Sequence, residues 1–292
     1  MFLQQLVNGL TIGSTYALVT IGFSLIFGIL RLMNFANGAI FVLGAYMTLM
    51  VYTRLTGNFI ISLLAGVLLT GLVGFSVDRF ALRVLRQKGA PRLAPMITTM
   101  GIATIIENFI LNFFGSETKA VPYSPQLGFV TVGNVRISMF QFLILGVAII
   151  LMLLVSLLVY KTKLGKAMLA TSQNQVAAAI MGINVQGVIA FTFFLSAVLS
   201  AISGTIVGMY YQSIDVTLSA AMGSKTFAAA VVGGIGNIPG AIIGGLVVGV
   251  VETFGASYIS TAYRDAIAFA ILIVVLLVRP TGFFGKKDII KV

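Results

Sequence analysis

Apolar residues run through this chain in long blocks, each ended by a short polar or basic stretch. The blocks predict membrane spans at roughly 5–30, 35–53, 59–77, 95–114, 138–160, 188–211, 241–259 and 263–279, with a short apolar piece at 226–235. A bilayer core needs about 20 apolar residues per helix. The expected fold is therefore an all-α polytopic integral membrane protein, with about eight transmembrane helices plus a broken or re-entrant segment. The opening stretch MFLQQLVNGLTIGSTYALVTIGFSLIFGIL has no basic residue ahead of its apolar run and outlasts a signal peptide's apolar core, so it is expected to be a retained first span.

The short piece sits in FAAAVVGGIGNIPGAIIGG. It is too short to span, and Gly233, Gly234, Gly236, Pro239 and Gly240 interrupt a helix there. Helix breaks at membrane depth survive only inside protein or beside a watery cavity, which points to a pathway. Small residues recurring every fourth position, such as Ser196, Ser200, Gly204 and Gly208, are expected to serve ordinary close helix packing.

Composition sharpens this picture by subtraction. Of 292 residues, 59% are hydrophobic and 9% charged, so lipid must cover the chain. Without Cys or His it has no disulfides, thiol chemistry, imidazole bases or ordinary zinc ligands. A membrane hydrolase would lack a recognisable general base. The net charge of +11 does not imply nucleic acid, because the basic residues cluster between spans.

Their placement predicts topology instead, since Lys and Arg are retained on the cytoplasmic side of short loops. Arg79, Arg83, Arg86, Lys88 and Arg92, then Lys161, Lys163 and Lys166, then Arg279, Lys286, Lys287 and Lys291, together with Arg31, make thirteen of the eighteen basic residues. Placing them inside puts the N-terminus outside, the C-terminus in the cytoplasm, and the loops near 55, 115–137 and 212–224 outside. The parity holds only if 226–235 and 241–259 together enter and leave by the same face.

Polar groups within spans are the candidate chemistry. Asn34 and Asn37, in RLMNFANGAIFVLGAY, precede an apolar run and are placed to cap a helix starting at membrane depth or at its edge. Asn237, in GNIPGAIIGG, repeats the Asn-then-Gly-Ala-Ile order in the second half, a pattern of transporters built from repeats. Glu107 and Glu252 lie inside spans and Asp265 near a membrane edge. Intramembrane carboxylates are costly and mark pathways or packing hydrogen bonds. These five residues, Asn34, Asn37, Glu107, Asn237 and Glu252, are the translocation-pathway candidates. GSKT at 223–226 lacks the Gly-Lys adjacency, earlier Gly and preceding strand of a nucleotide loop.

One polar stretch, KTKLGKAMLATSQNQVAAAIMGIN at 161–184, stands outside the blocks. Taken as a helix from Lys166, it puts Leu169, Val176, Ile180 and Ile183 on one face, and Thr171, Asn174 and Gln175 on the other. Such a helix can lie on membrane helices and dock a partner.

NFANGAIFVLGAY, GKAMLATSQNQVAAAIMGIN, AAVVGGIGNIPGAIIGGLVVG and VRPTGFFG together resemble the permease subunits of branched-chain amino acid ABC importers, the LivH type. The resemblance runs nearly end to end and implies a single transmembrane permease domain over 1–292 in the cytoplasmic membrane. It also implies a second related permease, two cytoplasmic ATPase subunits and an extracytoplasmic solute-binding protein. ATP and Mg would be bound by the ATPases, leaving this chain without a cofactor. The 161–187 loop would then be the cytoplasmic coupling segment, with Gly165, Lys166, Thr171, Asn174 and Gly182 as coupling candidates. Asn37 stands where that family leads one to expect His, which weakens a titrating role there. The alternative is an ion-coupled carrier or passive channel for a small polar solute, acting as this polypeptide alone.

Overall fold

A computed structural model of the protein describes residues 2–91, 93–123, 128–132 and 135–285. Arg92, Lys286, Lys287 and Lys291 of the basic tally lie outside the described residues. In chain order the helices are α1 (Phe2–Leu30), α2 (Asn37–Val51), α3 (Phe59–Ser76), α4 (Arg83–Gln87), α5 (Ala94–Phe114), α6 (Met139–Lys161), α7 (Lys163–Gln173), α8 (Gln175–Ile180), α9 (Val185–Tyr211), α10 (Leu218–Gly233), α11 (Ile238–Tyr258) and α12 (Arg264–Val278). Eight of the described helical stretches are long and apolar enough to cross a membrane. The chain is thus an all-α polytopic membrane protein.

Two short ribbons complete it. Strand β1 (Lys119–Ala120) pairs antiparallel with β4 (Ser213–Ile214), and β2 (Phe129–Val132) pairs with β3 (Val135–Ser138), Phe129 facing Ser138.

Helix α1 is the centre of the bundle. It packs antiparallel along α11: Gly9 faces Val250, Gly245 faces Ala17, and Gly28 faces Gly236. The small residues let the two backbones touch, the device lipid-embedded helices use where no hydrophobic driving force separates them from the tails. Helices α5, α6 and α12 instead leave apolar faces open, with Ile97, Ile105, Leu153, Leu157 and Leu277 exposed. Those faces suit lipid or another apolar partner.

Helices α7 and α8 lie at the end of the bundle where α1 finishes, the Gln175 side-chain amide donating to the Ile29 carbonyl. The two ribbons lie at the opposite end. There Tyr52 packs on Tyr123, and Thr118 donates to Asp215.

Three sequence expectations change. The piece at 226–235 is the second half of α10, a continuous helix starting at Leu218. It runs from the ribbon end to a turn at Gly234–Gly236 beside Gly28, and α11 returns to the same end. The same-face geometry required by parity is met by this hairpin. At about 1.5 Å per residue, the 16 residues of α10 cover less than the roughly 30 Å of a bilayer core, and a strand at Ser213–Ile214 and a turn at 216–217 lead into it.

The 161–184 stretch is two helices, because the Asn174 side chain accepts from Val176 N and Ala177 N and restarts the helix there. A single helical period therefore does not run through it. Val176 and Ile180 are exposed, while Thr171 is buried, its hydroxyl satisfied by the Ala167 carbonyl.

Neither Asn34 nor Asn37 caps α2. The cap position is Ala36, whose N–H donates to Asn34 Oδ1, and Asn37 is the first helical residue.

Candidate functional site

Four charged side chains converge where α10, α11 and the start of α12 pack against α1. Lys225 Nζ lies 2.9 Å from Glu252 Oε1 and 2.8 Å from Asp265 Oδ1. Arg264 Nε is 2.6 Å from the same Glu252 oxygen, close enough to pair but with its N–H directed elsewhere. The Tyr16 hydroxyl donates to Glu252 Oε1 at 3.1 Å, and Lys225 also sits 5.9 Å from the centre of the Tyr16 ring. Glu252 is fully enclosed and Lys225 nearly so, whereas Asp265 is 63% exposed. The cluster therefore grades from protein interior to solvent. Two cations and two carboxylates cancel, which is what makes the interior charges tolerable.

A cleft of about 320 Å3 opens beside this cluster at the ribbon end. It is lined by the charged Asp215, Lys225 and Arg264, the hydroxyl-bearing Tyr16, Tyr211 and Ser213, and the apolar Leu218, Ala221 and Met222. Asp215 accepts from Thr217 N and from the Thr118 hydroxyl, and these hydrogen bonds, led by the backbone one, hold its carboxyl below the usual carboxylate range.

The structure distributes the five pathway candidates along α10 and its neighbours. Glu107 on α5 accepts from Ser219 Oγ at 2.6 Å, near the start of α10. Glu252 meets Lys225 about one and two-thirds turns on. Asn37 is buried between helices: its Oδ1 accepts from Ser196 and Ser200 on α9, and its amide donates to the Val19 carbonyl of α1. Asn34 is buried with its Nδ2 unpartnered among the described residues. Asn237 lies at the other end, capping α11 through Gly240 N and donating to the Phe284 carbonyl. Glu107 and Glu252 thus share α10 as a neighbour, and Asn237 stands apart from both.

Next to Asn37, Gly38 meets α10 so closely that a Cβ there would strike the Ser219 carbonyl and lie 2.9 Å from Gly223 N. Only a residue without a side chain permits that approach.

Of the coupling candidates, Gly165 packs against the Leu158 and Val159 carbonyls, where a Cβ would not fit, and so sets the elbow between α6 and α7. Its N–H is capped by Thr162. Gly182 has φ +82, a left-handed residue that ends α8. Lys166 is exposed on α7.

Compared with known proteins, the chain matches the family described as "Branched-chain amino acid transport system / permease component" over residues 5–276. This chain belongs to that permease family. The family is a transport component rather than an enzyme. BraD of Pseudomonas aeruginosa, a high-affinity branched-chain amino acid transport system permease protein, is 38% identical to this permease over 303 aligned positions, covering 100% of this chain and 98% of BraD. LivH of Escherichia coli K12 is 35% identical over the same span and shares. The solved structure of PsaBC from Streptococcus pneumoniae in complex with Fab resembles the permease in fold, with a TM-score of 0.51 at 16% identity, over 97% of this chain and 94% of that one.

Sequence reasoning missed Lys225, Arg264 and Tyr16. Lys225 was visible as a lone cation entering an apolar run, the kind of counter-charge that a span carboxylate such as Glu252 requires. Tyr16 carried no signal of its own.

Proposed function

We propose that this chain is one permease subunit of an ATP-binding cassette importer that moves branched-chain or other neutral amino acids across the cytoplasmic membrane. The end-to-end similarity to BraD and LivH carries this reading. The ribbon end then faces outward, the α7–α8 end lies in the cytoplasm, and a solute-binding protein delivers the amino acid to the ribbon end. A second related permease completes the membrane core. Two ATPase subunits bind ATP and Mg and dock on α7 and α8, where Gly165, Thr162 and Asn174 fix the two short helices and Val176, Ile180 and Met181 offer exposed apolar side chains.

Within this reading Glu107 and Glu252 border the route through their contacts with α10. Asn34, Asn37 and Asn237 hold the helices around it. An ion-coupled carrier would use Glu107 or Glu252 for its ion; Glu252 already faces Lys225 and Arg264, whereas Glu107 accepts from Ser219.

The test is labelled leucine uptake into proteoliposomes holding this chain with its permease, ATPase and binding-protein partners. Uptake is expected only with ATP. Uptake by this chain alone, indifferent to ATP, would replace the importer with the carrier.

A further inference from the structure

We propose that the cleft beside Lys225 is a transit site for the amino acid zwitterion, with Arg264 receiving its carboxylate, Asp215 its ammonium group and Leu218, Ala221 and Met222 its side chain. This rests on the import reading above and adds to it a place on this chain.

Four observations carry it. The volume of about 320 Å3 lies at the small end of the roughly 300–1,000 Å3 typical of small-ligand pockets. Its walls carry both signs of charge, which a zwitterion needs and a simple ion does not. Arg264 is 30% exposed with its Nε 2.6 Å from Glu252, so the guanidinium is held by charge beside one carboxylate and still borders the cleft, where its planar fork can take another. Asp215, held ionised by Thr217 and Thr118, supplies the acceptor.

Lys225 is a positioning residue here. Its ammonium contacts both Glu252 and Asp265, so that Arg264 shares only Glu252 with it and is not also drawn to Asp265. Tyr16, hydrogen-bonded to Glu252, also lines the cleft and joins α1 to α11 beside it. Passage inward then requires the hairpin of α10 and α11 to shift relative to α1.

The chain contains no cysteine, which gives a clean test. Ala221→Cys is placed in the cleft, and Thr53→Cys in a separate cleft at the same end lined by Arg54 and Lys119. Each is reacted with a membrane-impermeant methanethiosulfonate in the reconstituted importer, with leucine uptake measured first. Leucine is expected to slow modification of Ala221→Cys severalfold and leave Thr53→Cys unchanged. Isoamylamine, which lacks the carboxylate, is expected to protect neither. Arg264→Lys, which keeps the charge but loses the fork, is expected to raise the KM for uptake about tenfold with little change in kcat.

Intact uptake with no protection at Ala221→Cys, or equal protection at both cysteines, overturns the site while leaving the importer standing. Equal protection by isoamylamine overturns the role given to Arg264. If Ala221→Cys itself does not transport, Leu218→Cys takes its place with the same outcomes. Failure of ATP-dependent uptake in the unsubstituted complex is a failure of the import reading instead.

Discussion

Lys225 on α10 and Glu252 on α11 meet at 2.9 Å with both side chains enclosed by protein, and the same lysine reaches Asp265 at the rim of α12. A buried pair contributes little over a well-packed apolar pair, yet removing one member strands the other. Lys225→Met is therefore expected to destabilise the protein by about 3 kcal/mol, and Lys225→Met with Glu252→Met to recover most of that loss. Thermal unfolding of the detergent-solubilised protein checks it; a double variant as unstable as the single would show that the cluster is not acting as a pair.

Asn37 joins three helices through one side chain. Asn37→Leu leaves Ser196 and Ser200 without their acceptor and is expected to cost about 1–3 kcal/mol. The KM for uptake by the surviving folded fraction should not move. A changed KM with unchanged melting temperature would assign Asn37 to the route rather than to the packing.

At the α7–α8 end, Gly165→Val drives a side chain into the Leu158 and Val159 carbonyls and should swing α7 away from α6. Asn174→Ala removes two cap hydrogen bonds, at a cost of about 1 kcal/mol, mostly local to α8. Both are expected to reduce stimulation of the ATPase by substrate-loaded binding protein, Gly165→Val more severely, with the permease still inserted. Full stimulation in Gly165→Val would separate this segment from coupling.

Asp215 gives a pH signature. Its folded pKa lies below the ordinary value near 3.8, so its stabilising contribution is complete above that value and is lost as pH falls through the lower, folded one. The melting-temperature gap between the protein and Asp215→Asn should stay constant from about pH 7 to 5 and close below about pH 4. A gap that widens on acidification contradicts the hydrogen bonds drawn from Thr217 and Thr118.

Much of the fold was legible because hydrophobic length alone marks a span: the blocks at 95–114 and 188–211 correspond to Ala94–Phe114 and Val185–Tyr211 almost residue for residue. The start of α10 was not, because LSAAMGSKT is only weakly apolar and owes its enclosure to Gly38, Glu107 and Glu252, all distant in sequence. The face of 161–184 was misread for a local reason: one asparagine cap resets the helical phase, and periodicity cannot be carried across it. At the candidate site Glu252 was visible as a charge in an apolar run. Its partners required the hairpin to be known first.

The charge cluster also bears on the order in which this protein is built. The α10–α11 hairpin carries one lysine and one glutamate toward the bilayer, and α12 follows with one arginine and one aspartate side by side. Each instalment arrives electrically balanced, so the growing chain need not hold an uncompensated ion in lipid while it waits for later helices. Phe283 and Phe284, later in the chain than all of them, donate their backbone N–H groups to the Val232 and Gly233 carbonyls and tie the end of the chain to the hairpin turn. Read from the N-terminus, the charges of this cluster thus come in neutral pairs, and the backbone contacts to the hairpin turn come after them.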